Sequence, residues 1–251
     1  MDFIVTTSLG QNPSLVQQAR ELAQQYGVIY IERRKRSIRK LLAIYDKGIL
    51  TVYQDQLVFV NRDGSKLYFH PDTAMLRIKA QHDPLLDLLG VTPKIVLDTT
   101  MGIASDSLVM AYAGHLVTAL ESNPLIYLVV SQGLQRFVSE NPQLNQAMRS
   151  IKTINQEATS YLSKQPDKSI DIVYIDPMFS EKIVESSNLE ALSPLANTSP
   201  LSYDLMKEAQ RVAKEKIIIK AHFRDSVFEE FGFERQLKPS QKFHYGFKKL
   251  I

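Results

Sequence analysis

Residues 94–121 read KIVLDTTMGIASDSLVMAYAGHLVTALE, and this stretch decides the fold class. Two compact apolar runs, Ile95–Asp98 and Leu116–Glu121, each end in an acidic residue. Between them, the pattern of residues 105–113 is typical of a helix. Two strands that are joined by a crossover helix run parallel, and the connection is right-handed. The stretch therefore predicts an α/β fold built on a parallel sheet.

The same alternation continues along the chain. Further strands are predicted at residues 151–154, 170–176, 216–220, 233–237 and 243–250, and further helices at residues 124–140, 159–164, 201–214 and 225–231. No helix separates the last two strands, so we expect them to pair antiparallel. Together the seven strands predict a Rossmann-like, mostly parallel sheet with helices on both faces.

The first 90 residues show a different pattern of predicted secondary structure. They mix short strand-like runs with two helices, one running from Asn12 to Tyr26 and one capped by Ser37. The strand-like runs lie at residues 28–32, 49–53, 56–60 and 67–69. We therefore predict a small α+β domain over residues 1–90, followed by a larger domain over residues 91–251.

Composition excludes several function classes. The 251 residues include no cysteine, which rules out disulfides, thiolate metal sites and cysteine nucleophiles. The five histidines show no metal-ligand spacing, so we predict no metal site. No apolar run approaches the roughly 20 residues that span a bilayer, and we recognise no signal peptide, so we expect a cytoplasmic protein. A net charge of +3 permits contact with nucleic acid without requiring it.

Acidic residues at the ends of the first two strands indicate a nucleoside site. Glu121 lies 23 residues after Asp98, a spacing at which an acid accepts hydrogen bonds from a ribose diol. Gly102 lets the backbone approach a ligand closely. Ala104 occupies the position where a second glycine of a phosphate-binding loop is expected. A ligand without phosphates, carrying a charged amino-acid end, therefore fits this loop better.

A third acid, Glu157, follows the strand at residues 151–154 and precedes Ala158. A carboxylate or a backbone group at this point can reach the edge of an adenine ring. The alternative is an exposed loop acid without a ligand, and the sequence leaves both interpretations open.

The sharpest motif in the chain is Asp176-Pro177-Met178-Phe179, which follows the strand at residues 170–176. It resembles the D/N-P-P-Y/F tetrapeptide of methyltransferases that act on exocyclic or amide nitrogens. Asp176 and a carbonyl near Pro177 can orient an amino group towards a methyl donor. Proline presets the carbonyl direction, and Phe179 offers a flat face on which a base can stack. The plain alternative is a strand stop with a packed phenylalanine.

The resemblance extends beyond this tetrapeptide. The runs VLDTTMGIASDSLVMAYAGHLVTALESNPLIYLVVSQGLQRF (96–137), DIVYIDPMFSEK (171–182), IIIKAHFRDSVF (217–228) and KFHYGFKK (242–249) resemble bacterial 16S ribosomal RNA guanine-N2 methyltransferases of the small-subunit J type. The resemblance covers about residues 94–250 and implies a class I methyltransferase fold with S-adenosylmethionine as the methyl donor. It also implies RNA, as 16S ribosomal RNA or the small ribosomal subunit, as the partner.

Carried over position by position, the resemblance implies the cofactor contacts Ser105, Asp106, Glu121, Ser122, Glu157, Ala158 and Asp176, to which the strand-end argument adds Asp98 and Gly102. Asp176, Pro177 and Phe179 are the predicted catalytic residues. The chain departs from the family at Ala104, where a glycine is expected, and at Glu157-Ala158, where a serine pair is expected. These departures indicate a divergent branch.

A basic cluster supplies the predicted RNA contacts. Arg33, Arg34, Lys35 and Arg36 are followed by Arg39 and Lys40, which makes six cations in eight residues. Such a cluster binds phosphates regardless of base sequence, although a solvated lead-in to a helix explains it equally well. We add Lys220, at the end of a strand near the predicted catalytic motif, to the RNA-binding set.

Three functions remain open from the sequence. The first is methyl transfer to guanine N2 in 16S ribosomal RNA. The second is the same chemistry on DNA adenine or a protein amide, and the third is a non-catalytic protein that keeps the cofactor pocket. Residues 180–199, rich in serine, asparagine and proline, are predicted to form either a lid over the base or a plain loop.

Overall fold

The computed structural model describes residues 2–10, 12–177, 201–237 and 241–250. Within these residues the chain forms two compact units. The first takes residues 2–10, 12–70 and 128–138. The second takes Pro71–Tyr127 together with residues 139–177, 201–237 and 241–250. The domain boundary at residue 90 stays a sequence-based prediction.

The first unit is a five-stranded mixed sheet with helices. Its elements are β1 (Phe3–Thr7), α1 (Pro13–Gln25), β2 (Ile29–Tyr30), α2 (Ile38–Tyr45), β3 (Gly48–Val52), β4 (Leu57–Val60) and β5 (Lys66–Tyr68). The strand order is β2-β1-β3-β4-β5. β1 pairs parallel with β2 and β3, whereas β3, β4 and β5 pair antiparallel. Consequently β1, α1 and β2 form a β–α–β unit.

Local sequence explains the start of both helices. The Asn12 side chain accepts a hydrogen bond from the Ser14 amide, and Pro13 occupies the first helical position of α1. Residues four apart form the buried face of this helix: Leu15, Ala19 and Ala23. Ser37 caps α2 by accepting from the Lys40 amide at 3.1 Å, as the sequence predicted.

The second unit holds the seven-stranded sheet. Its strands are β6 (Ile95–Asp98), β7 (Leu116–Glu121), β8 (Lys152–Asn155), β9 (Ile170–Ile175), β10 (Ala213–His222), β11 (Glu234–Gln236) and β12 (Phe243–Lys249). The order is β11-β12-β10-β9-β6-β7-β8. All pairings are parallel except those of β12 with β10 and β11. The predicted Rossmann-like sheet and its antiparallel last pair are therefore confirmed.

The described helices after residue 70 are α3 (Asp72–Lys79), α4 (Pro84–Leu89), α5 (Ser105–Tyr112), α6 (Pro124–Arg136), α7 (Pro142–Ser150), α8 (Ala158–Leu162), α9 (Tyr203–Val212) and α10 (Val227–Glu230). Helices α3, α4 and α7 and strand β1 were not predicted from the sequence. Helix α6 ends at Arg136, four residues before the predicted end at residue 140. Asn141 begins a new helix there, because its side chain accepts from the Gln143 and Leu144 amides.

The strand order reverses beside β6, which neighbours β7 on one side and β9 on the other. In open parallel sheets, ligands bind outside the carboxyl ends of the strands at such a reversal. Asp98 and Glu121 end β6 and β7, and Asp176 directly follows β9. Under this edge, a continuous apolar core packs β9 and β10 against α8, α9 and α10. The fold thus gathers three acids at one rigid edge.

No helix among the described residues is both long enough and apolar enough to cross a lipid bilayer.

Close packing at Gly246 gives a test of this core. A Cβ atom placed on Gly246 of β12 would lie 2.7 Å from a ring carbon of Phe228, which is fully buried. We expect Gly246→Ala to lower the free energy of unfolding by about 1–3 kcal/mol in urea denaturation. The cost should shrink in a Phe228→Leu background, where the ring is absent. Equal costs in the two backgrounds would contradict this packing.

Candidate active site

Asp98 lies at the centre of the carboxyl edge and is almost completely buried. The Ser107 hydroxyl donates to its Oδ2 at 2.6 Å, and the Thr100 amide donates to its Oδ1 at 2.9 Å. Burial raises the pKa of Asp98 to about 7, against the opposing effect of these two hydrogen bonds. Near neutral pH the group therefore titrates, and a positive charge placed beside it would favour the carboxylate.

Glu121 closes β7 and holds the loop that follows β6. The amide of Gly102 donates to its Oε2 at 3.2 Å, and the amide of Asn123 donates to its Oε1 at 2.8 Å. Burial raises its pKa in spite of these bonds. A Cβ atom on Gly102 would meet nothing nearer than the Thr100 carbonyl oxygen at 3.9 Å, so open space lies beside the loop.

Lys220 joins Asp176 to Asp106, an acid in the first turn of α5. Its ammonium donates to Asp176 Oδ2 at 2.7 Å and to Asp106 Oδ2 at 3.0 Å. Strand register explains the first contact, because Ile219 of β10 pairs with Ile175 of β9 and brings the next residue of each strand side by side. The same register places Tyr245 of β12 opposite Lys220. A row of three polar residues thus crosses β9, β10 and β12.

Arg77 of α3 completes the network on its other side. Its guanidinium forms an ion pair with Asp106, bonds Asp83 at 2.8 Å and reaches the Tyr245 hydroxyl at 3.4 Å. Asp83 also caps α4, since it accepts from the Leu85 amide. The network therefore links the helices that precede β6 to the carboxyl edge of the sheet.

The two carboxylates around Lys220 have pKa values that shift in opposite directions. Burial alone would raise the pKa of Asp106, but the charges of Lys220 and Arg77 outweigh burial and hold this pKa well below its usual range. Asp176 faces only one of these cations, so burial dominates and raises its pKa to about 6, with Lys220 opposing. Both groups are mainly ionised above neutral pH. Lys220 is held in its charged form, because Asp106 and Asp176 raise its pKa despite burial.

The backbone around Asp176 is also held in place. The Asp176 amide donates to the Thr100 hydroxyl at 2.8 Å. The amide of Thr100 in turn donates to the Asp98 carboxylate. Thr99 donates through both its amide and its hydroxyl to the Tyr174 carbonyl at 3.0 Å. The ends of β6 and β9 are therefore coupled directly, and the Asp176 side chain keeps about a quarter of its surface exposed.

Ala104 adopts the left-handed conformation, with φ of 61°, immediately before α5. This is the position where the sequence analysis expected a glycine. The Ala104 amide donates to the Met101 carbonyl at 2.7 Å, which closes the turn. The loop therefore keeps the backbone path that glycine favours, at a cost of about 1 kcal/mol for the side chain.

The other predicted cofactor contacts lie along the same edge. Ser105 begins α5, Ser122 is exposed after β7, and Ala158 begins α8. The Glu157 carboxylate caps α8 by accepting from the Thr159 and Ser160 amides at 2.8 and 2.7 Å. Their roles towards a cofactor stay predictions. Pro177 is the last described residue of the motif, and Met178, Phe179 and the proposed lid at 180–199 lie outside the described residues.

The predicted RNA contacts do not all present free charges. Lys220 is engaged by two carboxylates, as described above. Arg33 is buried, and its guanidinium donates to the Thr7 and Arg36 carbonyls at 3.1 and 3.0 Å. The guanidinium of Arg36 donates to the Glu32 carbonyl at 2.7 Å. Arg34 and Lys35 are exposed.

Arg77, Asp83 and Tyr245 were not among the site residues predicted from the sequence. A signal for part of this set was present, because Asp83 followed by Pro84 is a helix start of the kind that caps α4. Arg77 and Tyr245 are 168 residues apart, and no local pattern relates them. Among the described residues no group of three or more histidine, aspartate or glutamate side chains is arranged to hold a metal ion.

Comparison with known proteins gives a family match. Residues 50–238 match the family model described as "Putative SAM-dependent methyltransferase", where SAM is S-adenosylmethionine. An uncharacterised protein of Bacillus subtilis, YpiP, is 32% identical, and the alignment covers 97% of this chain and 98% of that protein. The similarity to YpiP thus extends over both units.

Ribosomal RNA small subunit methyltransferase J from Hydrogenovibrio crunogenus is 31% identical over 140 residues, which cover 53% of this chain and 50% of the relative. The chain thus spans about half the length of this relative. A crystal structure of a SAM-dependent methyltransferase from Neisseria gonorrhoeae matches 98% of this chain and 95% of its own, with a TM-score of 0.61 and 16% identity. That likeness shows a shared fold.

The raised pKa of Asp98 predicts a pH-dependent stability. In the folded state Asp98 keeps its proton up to about pH 7, whereas in the unfolded chain it loses it near pH 3.8. Folding then binds a proton, so the free energy of unfolding falls as pH rises between these values, by at most about 1.4 kcal/mol per unit. Relative to Asp98→Asn, we expect the wild type to lose about 2–3 kcal/mol from pH 5 to pH 8 in urea denaturation. If the free energies of unfolding of the wild type and of Asp98→Asn changed in parallel with pH, a buried, protonated Asp98 would be contradicted.

The bridging role of Lys220 predicts a second effect. Lys220→Met leaves Asp176 without its cation, and we expect about 3–5 kcal/mol of lost stability at pH 8. The loss should be smaller at pH 5, where Asp176 is protonated, and Asp176→Asn should recover part of it. Lys214 lies on the same strand as Lys220 and pairs with Asp171 of β9 at 3.1 Å, with its own side chain 43% exposed. Lys214→Met should therefore cost about 1 kcal/mol or less. Equal losses at the two pH values would contradict the bridge.

Proposed function

Because the chain belongs to the family of SAM-dependent methyltransferases and S-adenosylmethionine is its methyl donor, we propose that it methylates the exocyclic N2 amine of a guanine in 16S ribosomal RNA. The observation that carries this proposal is the position of Asp176-Pro177. These residues follow β9 at the reversal of strand order, and Lys220 and Thr100 hold Asp176 there.

The residues of the carboxyl edge fit this donor. Glu121 offers acceptor oxygens for ribose hydroxyls, and the open space beside Gly102 leaves room for a ligand next to it. Asp98 and Asp176 supply carboxylates suited to the cationic sulfonium and ammonium groups of S-adenosylmethionine. When bound, that cofactor supplies an electrophilic methyl group. We therefore assign Asp98, Gly102 and Glu121 to cofactor binding, with Ser105, Asp106, Ser122, Glu157 and Ala158 as further proposed contacts.

Asp176 is the residue that we propose orients the amine. Its carboxylate is mainly ionised above its pKa of about 6 and accepts a hydrogen bond from the target NH₂ group. The Pro177 backbone, whose φ is fixed by its ring, presets the direction of the chain beyond it. The nitrogen lone pair then forms the new N–C bond while the donor's S–C bond breaks, and the surplus proton leaves to water. This chemistry requires positioning and no strong general base.

RNA as the substrate class is supported by the partial relatives. Two J-type proteins named as ribosomal RNA methyltransferases align with 53% and 58% of this chain. The exposed cations Arg34 and Lys35 are the proposed phosphate contacts. Lys220 we assign instead to holding Asp106 and Asp176. A ribosomal RNA substrate also implies a cytoplasmic enzyme.

The proposal is tested by methyl transfer from labelled S-adenosylmethionine onto undermethylated 30S subunits, free 16S ribosomal RNA and DNA. We expect Asp176→Asn to lower kcat by about 10²–10³ fold, because the amine loses its charged acceptor. Cofactor affinity, measured by calorimetry, should fall only modestly.

The control is Asp171→Asn, at the opposite end of the same strand, which should leave turnover unchanged. Unaltered turnover in Asp176→Asn would reject the catalytic role. Methylation of DNA or of a protein amide in place of RNA would reject the substrate. Cofactor binding without transfer to any of these substrates would support a non-catalytic protein. Mass mapping of ribosomal RNA from cells lacking the protein would identify the nucleotide.

A further inference from the structure

The first unit contains a cavity of about 620 Å³ at the carboxyl ends of β1 and β2. Its walls come from the loop after β1, the first turns of α1 and the segment after β2, and they include Arg20, Tyr30, Glu32, Arg33, Arg34 and Lys35. Four of these residues are cationic and one is acidic. A β–α–β unit with such a cavity at its carboxyl edge has the topology at which nucleotides bind in other α/β sheets.

Arg33 gives the strongest indication of an anionic ligand. It lines the cavity, yet its residue surface is only 9% exposed. Its guanidinium bonds the Thr7 and Arg36 carbonyls, and no carboxylate among the described residues forms an ion pair with it. A buried cation without a counter-ion costs several kcal/mol unless a negative charge reaches it. An anion in the cavity would supply that charge.

The two next residues extend the positive charge to the surface. Arg34 and Lys35 both adopt positive φ values, of 44° and 60°. Residues other than glycine seldom adopt this conformation, and two in succession carry strain of the kind found at binding sites. Glu32 pairs with Arg34 at 3.3 Å at the exposed rim, which leaves Lys35 without a described ionic partner.

The remaining walls add groups that suit a nucleic-acid strand. The guanidinium of Arg20 lies 5.4 Å from the centre of the Tyr30 ring, so an aromatic face and a cation are adjacent. Pro13 and Val16 bring the positive end of α1 to the same cavity. Phosphates, sugars and bases can thus find cations, backbone donors and an aromatic surface within one space.

We propose that this cavity binds a phosphodiester segment of the single-stranded RNA that carries the target base. Arg33 supplies the buried charge, Arg34 and Lys35 engage flanking phosphates, and the Arg20–Tyr30 pair borders a nucleoside. The inference rests on the proposed RNA substrate and assigns a site for it in the first unit, whereas the residues proposed to perform transfer belong to the second unit. Of the six cations at residues 33–40, Arg33, Arg34 and Lys35 line the cavity, and the RNA contact is assigned to these three.

The test is fluorescence anisotropy with a labelled single-stranded RNA of about 10–12 nucleotides, a length typical of such sites. We expect Arg34→Glu with Lys35→Glu to weaken RNA binding at least about tenfold at 0.1 M salt, and to reduce the slope of log K against log salt by about 1–2. The matched control is Arg39→Glu with Lys40→Glu, which changes the net charge equally at exposed positions that do not line the cavity. The control should weaken binding by less than about twofold.

Methyl transfer measured in parallel separates this inference from the proposed function. We expect the cavity variant to raise KM for RNA while kcat stays unchanged, and RNA to protect Lys35 but not Lys40 from amine-modifying reagents in the wild type. If the wild type binds and methylates RNA but the cavity and control variants bind equally well, the cavity assignment is overturned and the proposed function stands. If the wild type neither binds nor methylates RNA, both are rejected.

Discussion

The contact of Lys220 with Asp106 and Asp176 is the interaction on which the geometry of the carboxyl edge depends. One ammonium joins the first turn of α5 to the end of β9, and Arg77 extends the network to α3 and α4. Burying these charges yields little net stability, because desolvation offsets much of the attraction between them. Their value is geometric, since each partner has only one position that satisfies all of its neighbours. The carboxylate that we propose orients the amine is thus held by elements from three distant parts of the chain.

The same edge carries more acid than base. Within the described residues, Asp83, Asp106 and Asp176 form ion pairs with Arg77 and Lys220. Burial keeps the neighbouring Asp98 protonated up to about pH 7, which limits the repulsion among the four carboxyl groups. A cationic donor bound beside Asp98, as proposed above, would change that balance, because its charge would let Asp98 ionise without a further penalty. The cluster is therefore better matched to a sulfonium ligand than to the phosphate of a dinucleotide. This agrees with a loop that lacks a second glycine.

The fold and part of the site could be predicted from local sequence. Apolar runs that lead to Asp98, Glu121 and Asp176 predict a parallel sheet with acids at one edge. The strand order then brings the carboxyl ends of these strands together. The function of Lys220 could not be predicted, since its partners lie 44 and 114 residues away and only strand register makes them neighbours. Arg77 was missed with its helix, because the apolar residues of α3 are nearly consecutive (Ala74-Met75-Leu76 and Ile78) and show no clear helical spacing. The charged run from Arg33 to Arg36 was recognised. Which of its members is buried could not be predicted, because Arg33 is held by the carbonyl of Thr7 in β1 and by the carbonyl of Arg36 in its own turn.

Ala104 shows what the loop after β6 requires. A glycine is expected there, and the alanine keeps the left-handed backbone that a glycine would adopt. In this chain the left-handed dihedral angle is present without the glycine that usually marks it. Pattern searches that insist on the second glycine would pass over chains of this branch, whereas a search for the backbone path between an acidic strand end and a following helix would retrieve them. Divergent members of nucleoside-binding families are therefore better identified by a search for main-chain conformation than by a search for a consensus sequence motif.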